Sequence, residues 1–206
     1  LTSLLSAFSL FAQETDQGFL NIANVAPTDK PCKITIMGKD LVPGGLKGVE
    51  STGWFIVPAG DHAMTLQIEG YQPASGTITV KPNLSNLYVV FLQQLEKKVD
   101  KDGKEIPPEV RIKRCAALKD AGSHYLKAMS LCPGEERFNV GPHVLDLKLY
   151  GMEEVTGWNG GAFTVKLGNK NIGSCSGSQE KGSYMLLFGT DHKGKYCSLL
   201  VRNEKQ

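Results

Sequence analysis

Residues 51–80, STGWFIVPAGDHAMTLQIEGYQPASGTITV, constrain the fold more than any other part of the chain. Trp54-Phe55-Ile56-Val57 is an apolar run of β-favouring residues, and Pro58-Ala59-Gly60-Asp61 breaks it. Ala63, Thr65, Gln67 and Glu69 then alternate with Met64, Leu66 and Ile68, so one face is apolar and the other mostly polar. Gly70 and Pro73 turn the chain again before Thr77-Ile78-Thr79-Val80. Three short strands joined by turns make half of a β-sandwich. That pattern specifies a scaffold and not a reaction.

The flanking segments continue it. Residues 18–25 (GFLNIANV) read as a first strand with imperfect alternation, and residues 33–37 (KITIM) as a second with Ile34 and Ile36 on one face. Residues 87–95 (LYVVFLQQL) are a strongly apolar strand. The charged stretch 96–108, EKKVDKDGKEIPP, has the look of a linker. However, Val99 and Ile106 flank a DKDGK tip in which Asp102-Gly103 supplies positive-φ positions. The stretch therefore reads as a hairpin whose return strand is 109–118. No segment sustains a capped helical period.

An internal repeat organises these pieces. FLNIANVAP at 19–27 is matched by YLKAMSLCP at 125–133, Thr52-Gly53-Trp54 by Thr156-Gly157-Trp158, and YVVF at 88–91 by YMLLF at 184–188. The second copy also ends in a hairpin, with its tip at Asp191-His192-Lys193-Gly194. The expected fold is all-β with little helix. It comprises two tandem immunoglobulin-like β-sandwich domains, 17–118 and 123–203, which meet at 119–123 (KDAGS).

Lys plus Arg is 23 and Asp plus Glu is 21 in 206 residues, a net charge of +2. That balance argues against a nucleic-acid partner. Residues 1–12, LTSLLSAFSLFA, resemble the apolar core and cleavage end of a secretory signal, followed by the polar QETDQ. Twelve uncharged residues are too few for a transmembrane helix, which needs about 20. The expectation is export, to the periplasm, the outer-membrane region or the exterior. An exported chain can keep disulfides. Of the five cysteines, Cys175 and Cys197 are the first candidate pair and Cys115 and Cys132 the second, which leaves Cys32 free.

The constellations that could carry chemistry are thin. Asp61-His62 and Asp191-His192 are turn neighbours, which point apart rather than form a dyad. His124 and His143 complete no metal-ligand spacing. Residues 173–178 (GSCSGS) could be a nucleophile loop around Cys175, or a hairpin loop with a paired cysteine. Asp100-Lys101-Asp102-Gly103 hints at a calcium loop, but the twelfth position is Arg111. No catalytic residue, metal or cofactor is expected. Trp54 and Trp158 each follow Thr-Gly and are the candidate ligand- or partner-binding residues. As exposed aromatics they would stack on sugars or anchor a partner, and as core residues they would pin two sheets.

The first copy resembles two families of exported bacterial β-domains. Val57-Pro58-Ala59-Gly60, Ile68-Glu69-Gly70-Tyr71 and Gly76-Thr77-Ile78-Thr79-Val80-Lys81-Pro82 are similar to the PEGA domain pattern. Asn24-Val25-Ala26-Pro27 with the same VPAG turn resembles the DUF4397 family. The resemblance spans about residues 19–95. It implies a non-catalytic envelope module, structural, adhesive or protein-interacting, with an envelope protein or surface polysaccharide as partner. A carbohydrate-binding module using exposed aromatics is the alternative, and a hydrolase the third reading.

Overall fold

The computed structural model describes residues 16–93, 99–115, 123–178 and 180–202. The signal-like segment 1–12, and residues 119–122 of the expected boundary, lie outside the described residues. Those residues form strands and no helix. Accordingly, no helix among them is long and apolar enough to cross a membrane.

The first half contains β1 (Gln17–Asn24), β2 (Lys33–Ile36), β3 (Lys39–Asp40), β4 (Glu50–Ser51), β5 (Phe55–Pro58), β6 (Gly60–Gln67), β7 (Ala74–Val80), β8 (Ser85–Gln93) and β9 (Glu109–Arg114). The second contains β10 (Tyr125–Ser130), β11 (Glu135–Val140), β12 (His143–Lys148), β13 (Met152–Val155), β14 (Phe163–Leu167), β15 (Lys170–Cys175), β16 (Ser183–Thr190) and β17 (Tyr196–Arg202). They make four sheets. Two are inner, β4-β1-β8-β9 (with β5 also on β1) and β13-β10-β16-β17. Two are outer, β3-β2-β6-β7 and β12-β11-β14-β15.

The same wiring recurs in both halves. β1 runs parallel to β8 from Phe19↔Ser85 to Asn24↔Val90, and β10 runs parallel to β16 from Tyr125↔Ser183 to Ser130↔Phe188. β9 returns antiparallel to β8, as β17 does to β16. β8 and β9 are therefore the arms of a hairpin inside the first half, with Val99 bridged to Glu105 near its tip; residues 96–98 and 116–118 of the expected hairpin lie outside the described residues.

Alternation along the inner strands sends side chains to two different cores. Leu20, Ile22, Tyr88 and Val90 join Ile34, Leu66 and Ile78 between the first inner and outer sheets. Leu126, Tyr184, Leu186 and Phe188 join Phe138, Leu145 and Val165 in the second half, where the Phe138 and Phe188 rings stack 3.9 Å apart. The residues of opposite parity meet across the molecule. Ala23, Val25, Leu87, Val89 and Phe91 pack on Met129, Met185, Leu187 and Val201 in a third core, a seam between the two inner sheets. Gly189 lies against Val25 there, and a Cβ on it would sit 3.3 Å from Val25 Cβ. Strands buried on both faces are expected to be continuously apolar. β8 and β16 are buried along nearly their whole length. Each Leu or Met fully buried in the seam contributes about 1.5–3 kcal/mol relative to exposure.

The expected disulfides are not formed: all five cysteines are free. The sides of the sheet explain why. Cys115 lies in the seam, and Cys132 in the core of the second half on the other side of the inner sheet. Cys175 packs into the second core, its Sγ 3.9 Å from Ser198 Oγ. Cys197 has the parity of Leu199 and Val201, which belong to the seam, whereas Tyr196 and Leu200 face the second core. Chain separation permitted both bridges, but Cys115 and Cys132 belong to different cores, and alternation along β17 turns Cys197 away from the core that holds Cys175.

Candidate functional site

The two Thr-Gly-Trp triplets occupy equivalent places and then diverge. In the first half, β4 and β5 are two pieces of one run along β1, interrupted at Thr52-Gly53-Trp54. Thr52 holds the interruption in place: its N–H donates to Ile22 O (2.9 Å) and its Oγ1 accepts from Ile22 N (3.0 Å). Gly53 takes φ 73°, and Phe55-Ile56-Val57 resumes pairing with β1. In the second half, β13 pairs with β10 up to Val155, and Gly157 takes φ 74°. The chain does not resume pairing. Asn159 Oδ1 accepts from Gly161 N (3.1 Å), and the Trp158 indole N–H donates to Gly161 O (2.9 Å), closing a short self-bonded loop. Gly160, at φ 86°, is buried under the His124 imidazole, which a Cβ would strike. Asn-Gly-Gly chemistry thus replaces a strand with a turn.

A cleft of about 770 Å³ opens beside that loop. Trp158, Asn159 and Gly161 of the loop line it, together with Asn139 and Val140 of β11 and Phe163 and Thr164 of β14. His143, Lys166 and the Gly168-Asn169 turn line it as well. The volume lies within the range of small-molecule sites. Trp158 is braced by near-perpendicular contacts with Tyr184 (4.9 Å), His124 (5.7 Å) and Phe163 (5.8 Å). Gly177 leaves room for its six-membered ring: a Cβ there would lie 2.6 Å from Trp158 Cη2. Asn139 uses its Nδ2 on Gly168 O (3.2 Å), and its Oδ1 has no partner among the described residues.

Trp54 has a different place. It packs at the edge of the seam, and its indole N–H donates to Arg202 O at 2.8 Å, binding the first half to the last residues of β17. The two candidate tryptophans therefore do not share a platform. Trp158 lines a cleft, and Trp54 fastens the halves. A second, smaller cleft of about 150 Å³ lies at the open end of the seam, between Val25, Phe91, Leu131 and Tyr150. Phe91 and Tyr150 meet edge to face there at 5.4 Å, and Lys113 lies 5.0 Å above the Tyr150 ring.

The remaining sequence candidates are occupied locally. Asp61 accepts from Thr79 Oγ1 (2.6 Å), while a ring nitrogen of His62 bonds Pro58 O (2.7 Å), so the two neighbours face different partners. Asp100 Oδ1 accepts from Asp102 N and Lys104 N, both at 2.9 Å, and is a turn cap. Burial pushes the Cys32, Cys115 and Cys132 thiols up to about 12 and the Cys197 thiol to about 11; it raises that of Cys175 as well. A nucleophilic cysteine needs the opposite shift. Among the described residues, no three His, Cys, Asp or Glu side chains gather where they could hold a metal.

No protein-family model matches the chain, and a search of curated proteins finds no match. The cleft itself was not foreseeable as a pocket. Its signal is the departure of the second copy from the first, Asn159-Gly160-Gly161 where the first has Phe55-Ile56-Val57.

Proposed function

We propose that this chain is a non-catalytic, exported structural or interaction module of a bacterial envelope, and that it engages its partner through the cleft beside Trp158. The observation that carries this reading is the makeup of the cleft. Three amides, glycine backbone, the Thr164 hydroxyl, one imidazole, one ammonium, one rigidly held indole and apolar side chains such as Val140 and Phe163 line it, with no carboxylate and no thiol. Such a surface can orient and hold a ligand. General acid–base or nucleophilic chemistry needs a matched pair of titratable groups. The seam supports a structural role, because it joins four sheets into one stack that can transmit load. Export rests on residues 1–12 and on the PEGA-like and DUF4397-like turns of the first copy, not on the cysteines, which are free.

Two measurements test the proposal. Fractionation of cells producing the natural protein should place it outside the cytoplasm with residues 1–12 removed. A cytoplasmic protein that retains them refutes the export half. Chromogenic ester and glycoside substrates should not be turned over. Turnover that disappears in the His143→Ala protein would make the cleft an active site and refute the rest.

A further inference from the structure

We infer that the cleft beside Trp158 is a saccharide site, taking a short neutral oligosaccharide of a few sugar rings. The inference rests on reading the chain as a binding module, and it supplies the ligand class. A neutral sugar presents hydroxyls that donate and accept together, and apolar C–H faces. The cleft offers a match for each. Asn139, Asn159 and Asn169 are amides, which carry both donors and an acceptor, and the His143 ring can do either. Asn139 Oδ1 and the His143 ring have no protein partner among the described residues, so a ligand can use them without breaking an existing bond. Trp158 supplies a large apolar ring at little conformational cost, because Tyr184, Phe163 and His124 already fix it.

The other ligand classes fit less well. A phosphate or sulfate would be expected to meet a guanidinium fork or several cations, and Lys166 is the one permanent cation of the lining. A cationic ligand would find no carboxylate. A purely apolar ligand would strand the amides without partners, and each buried, unsatisfied polar group costs about 1–3 kcal/mol. The site belongs to the second half alone. In the first half β5 runs along β1 after Trp54, and Trp54 is held by Arg202 O.

The test is a titration of the full ¹⁵N-labelled chain with triacetylchitotriose, cellotriose and maltotriose, and with inorganic phosphate as a control. At least one sugar should move the Trp158 indole signal and leave that of Trp54 in place. Asn139→Ala and His143→Ala should each weaken binding by roughly tenfold, the loss of about one good hydrogen bond, with unchanged melting temperature for His143→Ala and a slightly lowered one for Asn139→Ala, which also loses its exposed bond to Gly168 O. Trp158→Phe, which keeps an aromatic ring, should retain weakened binding. If no sugar shifts the Trp158 signal and no substrate is turned over, the saccharide assignment is wrong and the binding-module reading stands. Sugar shifts centred on Trp54 or the seam overturn the assignment too, as do shifts at Trp158 with phosphate alone. Sugar hydrolysis overturns the underlying reading instead.

Discussion

Thr52-Gly53-Trp54 and Thr156-Gly157-Trp158 are the same three residues in the same place on the same sheet wiring. Both glycines take φ near +74°, 73° in one and 74° in the other, and both indoles donate to a backbone carbonyl. The acceptors differ. Trp54 reaches Arg202, 148 residues away, whereas Trp158 reaches Gly161, three residues away. The residues after each triplet account for the difference. Phe55-Ile56-Val57-Pro58 favours extended pairing, so β5 rejoins β1. Asn159-Gly160-Gly161 favours a turn, so the chain leaves the sheet and a cleft opens where a strand would have lain. One half uses its tryptophan for cohesion and the other for access.

The strongest way to break the comparison is to attack the seam. Leu187 is fully buried there, in one cluster with Met129, Met185 and the first half's Val89 and Phe91. Leu187→Asp would bury an unpaired carboxylate in an apolar core, at a cost of about 3–5 kcal/mol. The wild-type chain should unfold in urea as one transition, because both halves share that core. In the variant, tryptophan fluorescence and far-ultraviolet circular dichroism should no longer report the same midpoint. If the variant keeps the wild-type midpoint with both probes, the seam does not couple the halves.

A smaller effect sharpens the contrast directly. Trp54→Phe removes a part-buried donor bond across the seam, together with ring volume, for about 2 kcal/mol in all. Trp158→Phe removes an exposed bond to the adjacent loop and keeps an aromatic ring among Tyr184, Phe163 and His124, for about 1 kcal/mol. Urea midpoints of the two variants decide the order. The reverse order would mean that the second tryptophan is the structural one.

The main strands of the first half and the hairpin after β8 were legible, because alternation and Asp-Gly chemistry are local; the short β3 and β4, and β11, β12, β14 and β15 of the second half, were not read individually. The inner strands were harder. The imperfect alternation of Phe19 to Val25 and the solid apolar run of Leu87 to Phe91 are the marks of strands buried on both faces. Alternation states that a side chain faces inward or outward but not what covers it. Hence neither the β1–β8 parallel pairing, across more than sixty residues, nor the seam could be read off. The same gap misdirected the disulfides: the spacing of Cys175 and Cys197 was compatible with a bridge, and the sheet between their faces was invisible. Trp158 was named as a candidate without its cleft. Asn139, His143 and Asn169 come from hairpins whose turns converge only in three dimensions. The departure of the second copy at Asn159-Gly160-Gly161 was visible, but whether a missing strand leaves a gap or is filled depends on the packing around it.

The smallest expected effect lies at the hairpin tips, where the halves are most alike. Asp100 Oδ1 accepts from Asp102 N and Lys104 N, and Asp191 Oδ1 accepts from Lys193 N and Lys195 N, all at 2.9 Å. Gly103 N donates to Asp100 O (3.0 Å) and Gly194 N to Asp191 O (2.9 Å), both glycines at positive φ. The tryptophan contrast arises from residues downstream of a shared motif, and here no such residues intervene, so the tips should behave alike. Asp100→Ala and Asp191→Ala should each speed amide exchange at their own tip without moving the global midpoint, since exposed tips open locally. For Asp191 the pH dependence has a definite sign. The backbone N–H of Lys195 holds its carboxyl below the usual range, with help from Lys193 N–H and the nearby His192 and Lys195 charges. Its folded value is depressed, so its contribution is complete above the ordinary carboxylate range and fades as pH falls through the folded value. The exchange difference between wild type and Asp191→Ala should therefore persist at neutral pH and close on acidification. A difference that widens in acid would mean that the protonated carboxyl, not the carboxylate, caps the turn. Protection lost at one tip and not at the other would extend the divergence of the two halves to the hairpin tips, which are otherwise capped in the same way.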